Sequence, residues 1–328
     1  MSAGTSIPYH LRPNKAVERG LFIQSLRKIN KYINISDYRY IGFGGPFLED
    51  FKALHHELKI ADMICIEINN NVRLRQQFNK PLSCINFPDK TYSATDFIKE
   101  HDFEKESITW LDYVSFQDLS TQLSDVSMLL GKLCHGDIFK VTLNANSANL
   151  GSVDDQSKLM EYRLEKFKEL VTAEFEPHGL SEDSMLSKVF PQTLLKALHR
   201  AVAKGMVSSS ELDAVPLSAF VYEDGQKMLT ATGIVLEKNR KDEFFEKTHI
   251  AAWPYFSCDW KEPKNITLPA LSARERLLVE QMLPGGTYEE IRASLGFYIG
   301  LRESDAKEQM ENFMSYYRSF PWFGKVAL

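Results

Sequence analysis

The segment YRYIGFGGPF at Tyr38–Phe47, followed by DMICIE at Asp62–Glu67, decides the fold. Its first half is rich in β-favouring residues and stops at Gly42, Gly44 and Gly45. Phe47–Leu58 then carries apolar residues at helical spacing, with Pro46 suited to a first turn. Asp62–Glu67 is a short, nearly continuous apolar run, the pattern of a buried parallel strand. Strand, glycine turn, helix and strand in that order predict the opening of a parallel sheet with helices on both faces.

The same alternation continues downstream. Asn70–Asn79 reads as a helix ended by Pro81, Leu82–Phe87 as a third strand, and Ser93–Glu100 as a helix capped by Ser93. Ile108–Val114, Phe116–Leu133 and Asp137–Leu143 read as strand, helix and strand. Residues 145–213 are mostly helical, about Gln156–Phe175 and Gln192–Lys204. Pro216–Tyr222 and Met228–Leu236 flank EDGQK and predict an antiparallel hairpin. Pro263–Pro269 reads as a linker. Capping boxes at Ser272–Glu275 and Thr287–Glu290 open two helices, and a third spans about Ser304–Ser319. Upstream, residues 14–33 form an amphipathic helix with Asn14 as its cap. The expected organisation is an N-terminal basic helical arm (1–35), an α/β domain (36–262) with a helical insertion at about 145–213, and a C-terminal helical unit (263–328).

Composition narrows the class. The 328 residues are 44% hydrophobic with a net charge of −5, which excludes a disordered or fibrous chain. No apolar run approaches the roughly 20 residues that cross a bilayer, so no membrane contact is expected. MSAGTSIPYHLRPNK has no apolar core of the secretory kind. The four cysteines form no CxxC pair, so a zinc site or disulfide framework is not expected. A reducing cytoplasm is the expected location. The charge is unevenly spread: Tyr9–Lys31 holds six bases and one acid.

Candidate residues gather at predicted strand ends, where open sheets bind ligands. Gly42, Gly44 and Gly45 let the backbone approach a ligand closely. A dinucleotide would call for GxGxxG, but Phe47 holds the third glycine position. Glu67 lies 22 residues beyond Gly45, where a carboxylate can accept both hydroxyls of a ribose. Asp96, in SATDF, stands where it could meet an adenine amino group. Asp112 and Tyr113 end an apolar strand, and an acid there suggests use. Asp112 could bind an ammonium group or act as a base. Asp154-Asp155 reads as a helix-start pair rather than a metal site. Asn144, Asn146 and Asn149 stand where an acceptor pocket would begin, or are turn residues.

GFGG, Glu67, Asp96 and Asp112 in order, followed by a hairpin after the fifth strand, resemble class I S-adenosylmethionine-dependent methyltransferases. More narrowly, YHLRPNKAVERGLF at Tyr9–Phe22, with YIGFGG and TWLDYV, looks like a bacterial family of O-methyltransferases. The resemblance covers about residues 9–240. It implies a Rossmann-like seven-stranded methyltransferase sheet with an antiparallel terminal hairpin. It implies S-adenosyl-L-methionine as cofactor, bound by Gly42, Gly44, Gly45, Glu67, Asp96, Asp112 and Tyr113. One departure is that Tyr38–Ile41 lacks the acid many members carry before the glycine turn.

A base helps an oxygen acceptor, and Asp112, Lys15 or a histidine could supply it. Lys15 and Arg19 share one helix face, with Arg12 near, so an anionic or phosphate-bearing methyl acceptor is expected. The insertion is expected to cover the acceptor. The competing reading is a non-catalytic adenosine-ligand sensor or regulator with a helix-turn-helix-like interaction tail. LSARERLLVEQMLPGGTYEEIRASLGF does resemble the start of a LuxR-type helix-turn-helix. Residues 265–328 nonetheless hold seven bases and eight acids, which disfavours DNA binding by the tail. Its third helix, with Met310, Phe313, Met314, Tyr316, Tyr317 and Phe320, is expected to pack or to form a homodimer.

Overall fold

The computed structural model describes residues 12–300 and 302–321. Tyr9, His10 and Leu11 of the basic segment lie outside the described residues.

Five strands form the parallel part of the sheet: β1 (Arg39–Gly42), β2 (Asp62–Cys65), β3 (Ile85–Asn86), β4 (Ser107–Asp112) and β5 (Ile138–Asn144). The long β6 (Leu212–Glu223) and β7 (Lys227–Glu237) form the hairpin, and β8 (Lys264–Ile266) closes the edge. The order is β3-β2-β1-β4-β5-β7-β6-β8, so the sheet has eight strands rather than the expected seven. The eighth is the segment read as a linker. Three residues between two prolines carry no periodicity, and an edge strand needs hydrogen bonds on one side only. β8 runs parallel to β6, pairing Phe220 with Lys264 and Tyr222 with Ile266. β7 runs antiparallel to both β5 and β6.

Alternation along the strands divides the core. One face presents Tyr40, Met63, Ile108, Trp110, Phe220 and Tyr222. It is covered by α1 (Pro13–Ile29), α2 (Glu49–Leu58), α8 (Lys241–Thr248) and the C-terminal helices α9 (Ala273–Met282), α10 (Tyr288–Leu295) and α11 (Glu303–Tyr316). The other face presents Leu111, Phe139, Val141, Leu143 and Ala231 to α5 (Leu119–Leu130), α6 (Leu159–Phe175) and α7 (Phe190–Gly205). The insertion helices α6 and α7 thus build the layer on the face opposite α1. The short α3 (Asn70–Asn79) and α4 (Ala94–Glu100) follow β2 and β3.

The C-terminal unit shares its core with the sheet. Met310, Phe313 and Tyr316 are buried in the same cluster as Val17, Leu21 and Trp110. Tyr316 donates to the Asn265 carbonyl at 3.1 Å and stacks on Tyr255 with ring centres 5.2 Å apart. The side chain of Ser319 packs 3.7 Å from where a Cβ on Gly20 would stand, and Gln24 donates to its hydroxyl. Met310, Phe313 and Tyr316 of α11 are therefore buried inside the chain, and the turn that follows α11 packs on α1 through Ser319.

The start of α1 is held from a distance. Pro13 occupies its first turn and Arg12 is its cap residue, without a side-chain cap bond. Asn14, the expected cap, instead turns outward: its amide donates to the Glu223 carbonyl and to Asp224, and its Oδ1 accepts from Leu268 N–H. Asp224, in the β6–β7 turn, accepts from the Lys15 N–H at 2.8 Å and the Asn14 N–H at 3.4 Å. It does the work of a helix cap from 209 residues away. Asp224→Ala is expected to cost about 1–2 kcal/mol. The check is a lower urea midpoint with an unchanged slope.

Candidate active site

The strand order reverses between β1 and β4, which opens a crevice at the carboxyl ends of the strands. Gly42 pairs with Trp110 across that boundary, so the glycine turn after β1 lies level with Asp112 at the end of β4. Gly44 and Gly45 adopt φ of +69° and +54°. A Cβ on Gly44 would stand 2.6 Å from Leu48 Cδ2 and 2.7 Å from Phe51 Cε2, so glycine is required there.

The turn is clamped by a residue with no marking in the sequence. Gln76 of α3 is fully buried, and its Nε2 donates to the carbonyls of Phe43 (2.9 Å) and Gly45 (3.1 Å). Cys65 Sγ donates to the same Phe43 carbonyl. Gln76 Nε2 also lies 3.5 Å from Glu67 Oε2, linking the turn to the acid.

Glu67 stands just beyond β2, and its Oε1 accepts from the Asn69 N–H at 2.8 Å. Partial burial raises its carboxyl above the usual value, against those backbone hydrogen bonds. Beside it Ile68 is 68% exposed, and Val114, two residues beyond the end of β4, is 43% exposed. Exposed apolar side chains at the strand ends suit the faces of a base, and the carboxylate suits the hydroxyls of its sugar. Asp96 is used locally: it is exposed, accepts from Ser93 Oγ at 2.7 Å, and completes the cap of α4. Tyr113 points to the opposite face, donates to the buried Asp125 at 2.7 Å and packs against Phe43. Asp155 caps a short turn through Ser157, as a helix-start acid should.

The start of α2 bears on the ligand. Its first turn carries Glu49 and Asp50, both paired with Arg19. Two carboxylates at a helix start repel a pyrophosphate, which adds to Phe47 against a dinucleotide.

Asp112 belongs to a buried polar seam between α1 and the sheet. Its Oδ2 accepts from Lys15 Nζ at 3.1 Å. Deeper in, Lys140 of β5 pairs with Glu18 of α1, both with side chains 1% exposed. The Lys140 ammonium lies 4.6 Å from the ring centres of both Phe22 and Trp110. Desolvation pulls this ammonium below the ordinary lysine value, and Glu18 offsets only part of that. Trp110 Nε1 donates to Thr142, and Thr142 to Thr230. Lys15 and Arg19 are thus engaged by Asp112 and Asp50, not extended over the crevice as the sequence suggests. Lys140 and Glu18 were not singled out, although a lone lysine in DIFKVTL and a glutamate between Val17 and Leu21 are the available signals.

Asn144 ties the edge together. It donates to the Val114 carbonyl and accepts from Asn146 N–H, Asn149 Nδ2 and Gln226 Nε2. It fixes the end of β4 to the start of the insertion and to the hairpin turn. Among the described residues, no helix is long and apolar enough to cross a membrane.

A family model described as "Putative O-methyltransferase" matches residues 7–328. No curated protein matches the chain. Among solved structures, Trm1 from Pyrococcus horikoshii, in complex with S-adenosyl-L-methionine, is 14% identical with a TM-score of 0.46. That match covers 72% of this chain and 58% of Trm1, so the chain spans less than two thirds of Trm1's length. The O-methyltransferase from Bacillus cereus in complex with SAH is 13% identical (TM-score 0.38), covering 71% of this chain and 91% of that one. The N-methyltransferase NodS from Bradyrhizobium japonicum WM9 is 14% identical (TM-score 0.38), with 67% and 97% covered.

Proposed function

The chain belongs to the family described as "Putative O-methyltransferase", and on that premise we propose that it transfers a methyl group from S-adenosyl-L-methionine to an acceptor oxygen. The observation that carries the reading is the crevice at the β1–β4 reversal, with Gly44-Gly45 on one side, Glu67 at its end and Asp112 facing them. These residues fit the cofactor. Glu67 would hold the ribose hydroxyls, Ile68 and Val114 would cover the adenine faces, and the glycine turn would admit the amino-acid end.

When bound, the cofactor supplies a methyl group on a sulfonium sulfur that departs with the bonding electron pair. The chain supplies position and a proton acceptor. Asp112 takes the proton of the acceptor hydroxyl on Oδ1, while Lys15 holds Oδ2 and fixes the carboxylate plane.

Calorimetry with S-adenosylhomocysteine tests the cofactor. Glu67→Ala removes the only acceptor proposed for two ribose hydroxyls. A loss of about 2–3 kcal/mol, a 30- to 150-fold weaker Kd, is expected for charged hydrogen bonds. Equal affinity in wild type and variant would overturn Glu67's role. NADH binding in place of S-adenosylhomocysteine would overturn the cofactor.

The acceptor's charge is a finer matter. The expectation of a phosphate-bearing acceptor rested on Lys15 and Arg19, whose pairing with Asp112 and Asp50 counts against it.

A further inference from the structure

We infer that Asp112 Oδ1 and Tyr222 Oη form the acceptor seat, and that it takes an uncharged, hydroxyl-bearing molecule rather than a phosphorylated or carboxylated one. The inference rests on the methyl-transfer reading above and names its substrate class.

Three observations carry it. First, Asp112 Oδ1 and the Tyr222 hydroxyl are both buried polar atoms without a hydrogen-bond partner among the described residues. Such atoms are rare in folded proteins and call for an explanation. Tyr222 is 3% exposed and is the next-to-last residue of β6, two positions before Asp224.

Second, the two groups share one compartment. Both project from the sheet face that α1 covers, and Asp112, Lys15, Glu18 and Arg19 all act electrostatically on the Tyr222 phenol. Burial, the largest influence, holds that phenol far above its ordinary value. Tyr222 therefore remains a neutral hydroxyl, able to donate one hydrogen bond and accept another. Asp112 Oδ1 can only accept. An acceptor hydroxyl that donates to Asp112, with a second polar atom for Tyr222, satisfies both.

Third, each base of the seam already faces a carboxylate. Lys15 pairs with Asp112, Arg19 with Asp50 and Glu49, and Lys140 with Glu18. A phosphate entering here would add charge that none of these three bases can meet without abandoning a buried carboxylate. Breaking such a buried pair is strongly unfavourable, because it leaves an uncompensated buried charge.

The probes are matched pairs: catechol against 3,4-dihydroxybenzoate, and glucose against glucose 6-phosphate. Transfer is read as tritium from S-adenosyl-L-[methyl-³H]methionine, and cofactor binding as S-adenosylhomocysteine calorimetry. The neutral member of a pair is expected to be methylated at least about tenfold better. Tyr222→Phe, which keeps the ring and its packing, is expected to lose about tenfold in kcat/KM for the neutral probe. Its Kd for S-adenosylhomocysteine stays within about twofold of wild type, which separates a role at the acceptor from a general loss of structure. The inference falls if charged probes are methylated as well as neutral ones, if Tyr222→Phe transfers at the wild-type rate, or if S-adenosylhomocysteine binds yet no neutral probe is methylated. Failure of the wild type to bind S-adenosylhomocysteine overturns the cofactor reading, and this inference with it.

Discussion

Lys140→Met is expected to lower the stability of the chain by about 3–5 kcal/mol, the range for removing one member of a buried ion pair. The new side chain has nearly the old length and can lie between Phe22 and Trp110, so little packing is lost. What remains is Glu18, 1% exposed, with its partner gone and its Oε2 already lacking a hydrogen bond among the described residues. The carboxylate must then either stay charged in an apolar layer or take up a proton. Removing both charges gives the opposite result. Lys140→Met with Glu18→Leu is expected to recover most of the loss, because an apolar replacement for a buried pair is often neutral or stabilising. Urea unfolding of wild type, both single variants and the double variant closes a double-mutant cycle. A double variant no more stable than the worse single would overturn the account and assign the loss to the ammonium's contacts with the two rings.

That pair illustrates where sequence and structure part. The parallel order, the glycine turn and the strand-end positions of Glu67 and Asp112 are legible because each rests on a local pattern: a short apolar run, a turn residue, an acid at a strand end. The capping boxes at Ser272 and Thr287 were legible for the same reason, and both form as expected. What failed to show was set by contacts distant in sequence. Asp224 caps α1 across 209 residues, and no local pattern announces it. Gln76 looks like any polar residue of NNVRLRQQFN until the fold places it under Phe43 and Gly45. β8 is too short for periodicity. The basic face of α1 was visible as charge, but not the carboxylates that meet it, because Asp50 and Asp112 come from other elements. On α11, Met310, Phe313 and Tyr316 pack into the core that also holds Val17 and Leu21 of α1, and Tyr316 bonds to β8.

The largest functional effect is expected at Asp112. Asp112→Asn preserves shape and leaves an oxygen for Lys15, but removes the proposed proton acceptor. General-base catalysis contributes about 10²- to 10⁴-fold, and kcat for methyl transfer should fall by that amount. Two roles for this carboxylate make different predictions. If it held the cofactor's ammonium, the Asn variant would weaken S-adenosylhomocysteine binding along with turnover. If it acts as base, binding stays within a few-fold while kcat falls. The geometry favours the base. Lys15 Nζ already occupies Oδ2 at 3.1 Å, and a second cation on the same carboxylate would crowd like charge into a buried seam. Oδ1 remains for the acceptor. Lys15→Met separates the two roles further. It leaves the base in place but frees Oδ2 to rotate, so kcat should fall by less than in Asp112→Asn while cofactor affinity is retained. A calorimetric Kd for S-adenosylhomocysteine that rises in step with the loss of kcat in Asp112→Asn would reassign Asp112 to the cofactor. Tyr222 would then be left as the acceptor's remaining anchor.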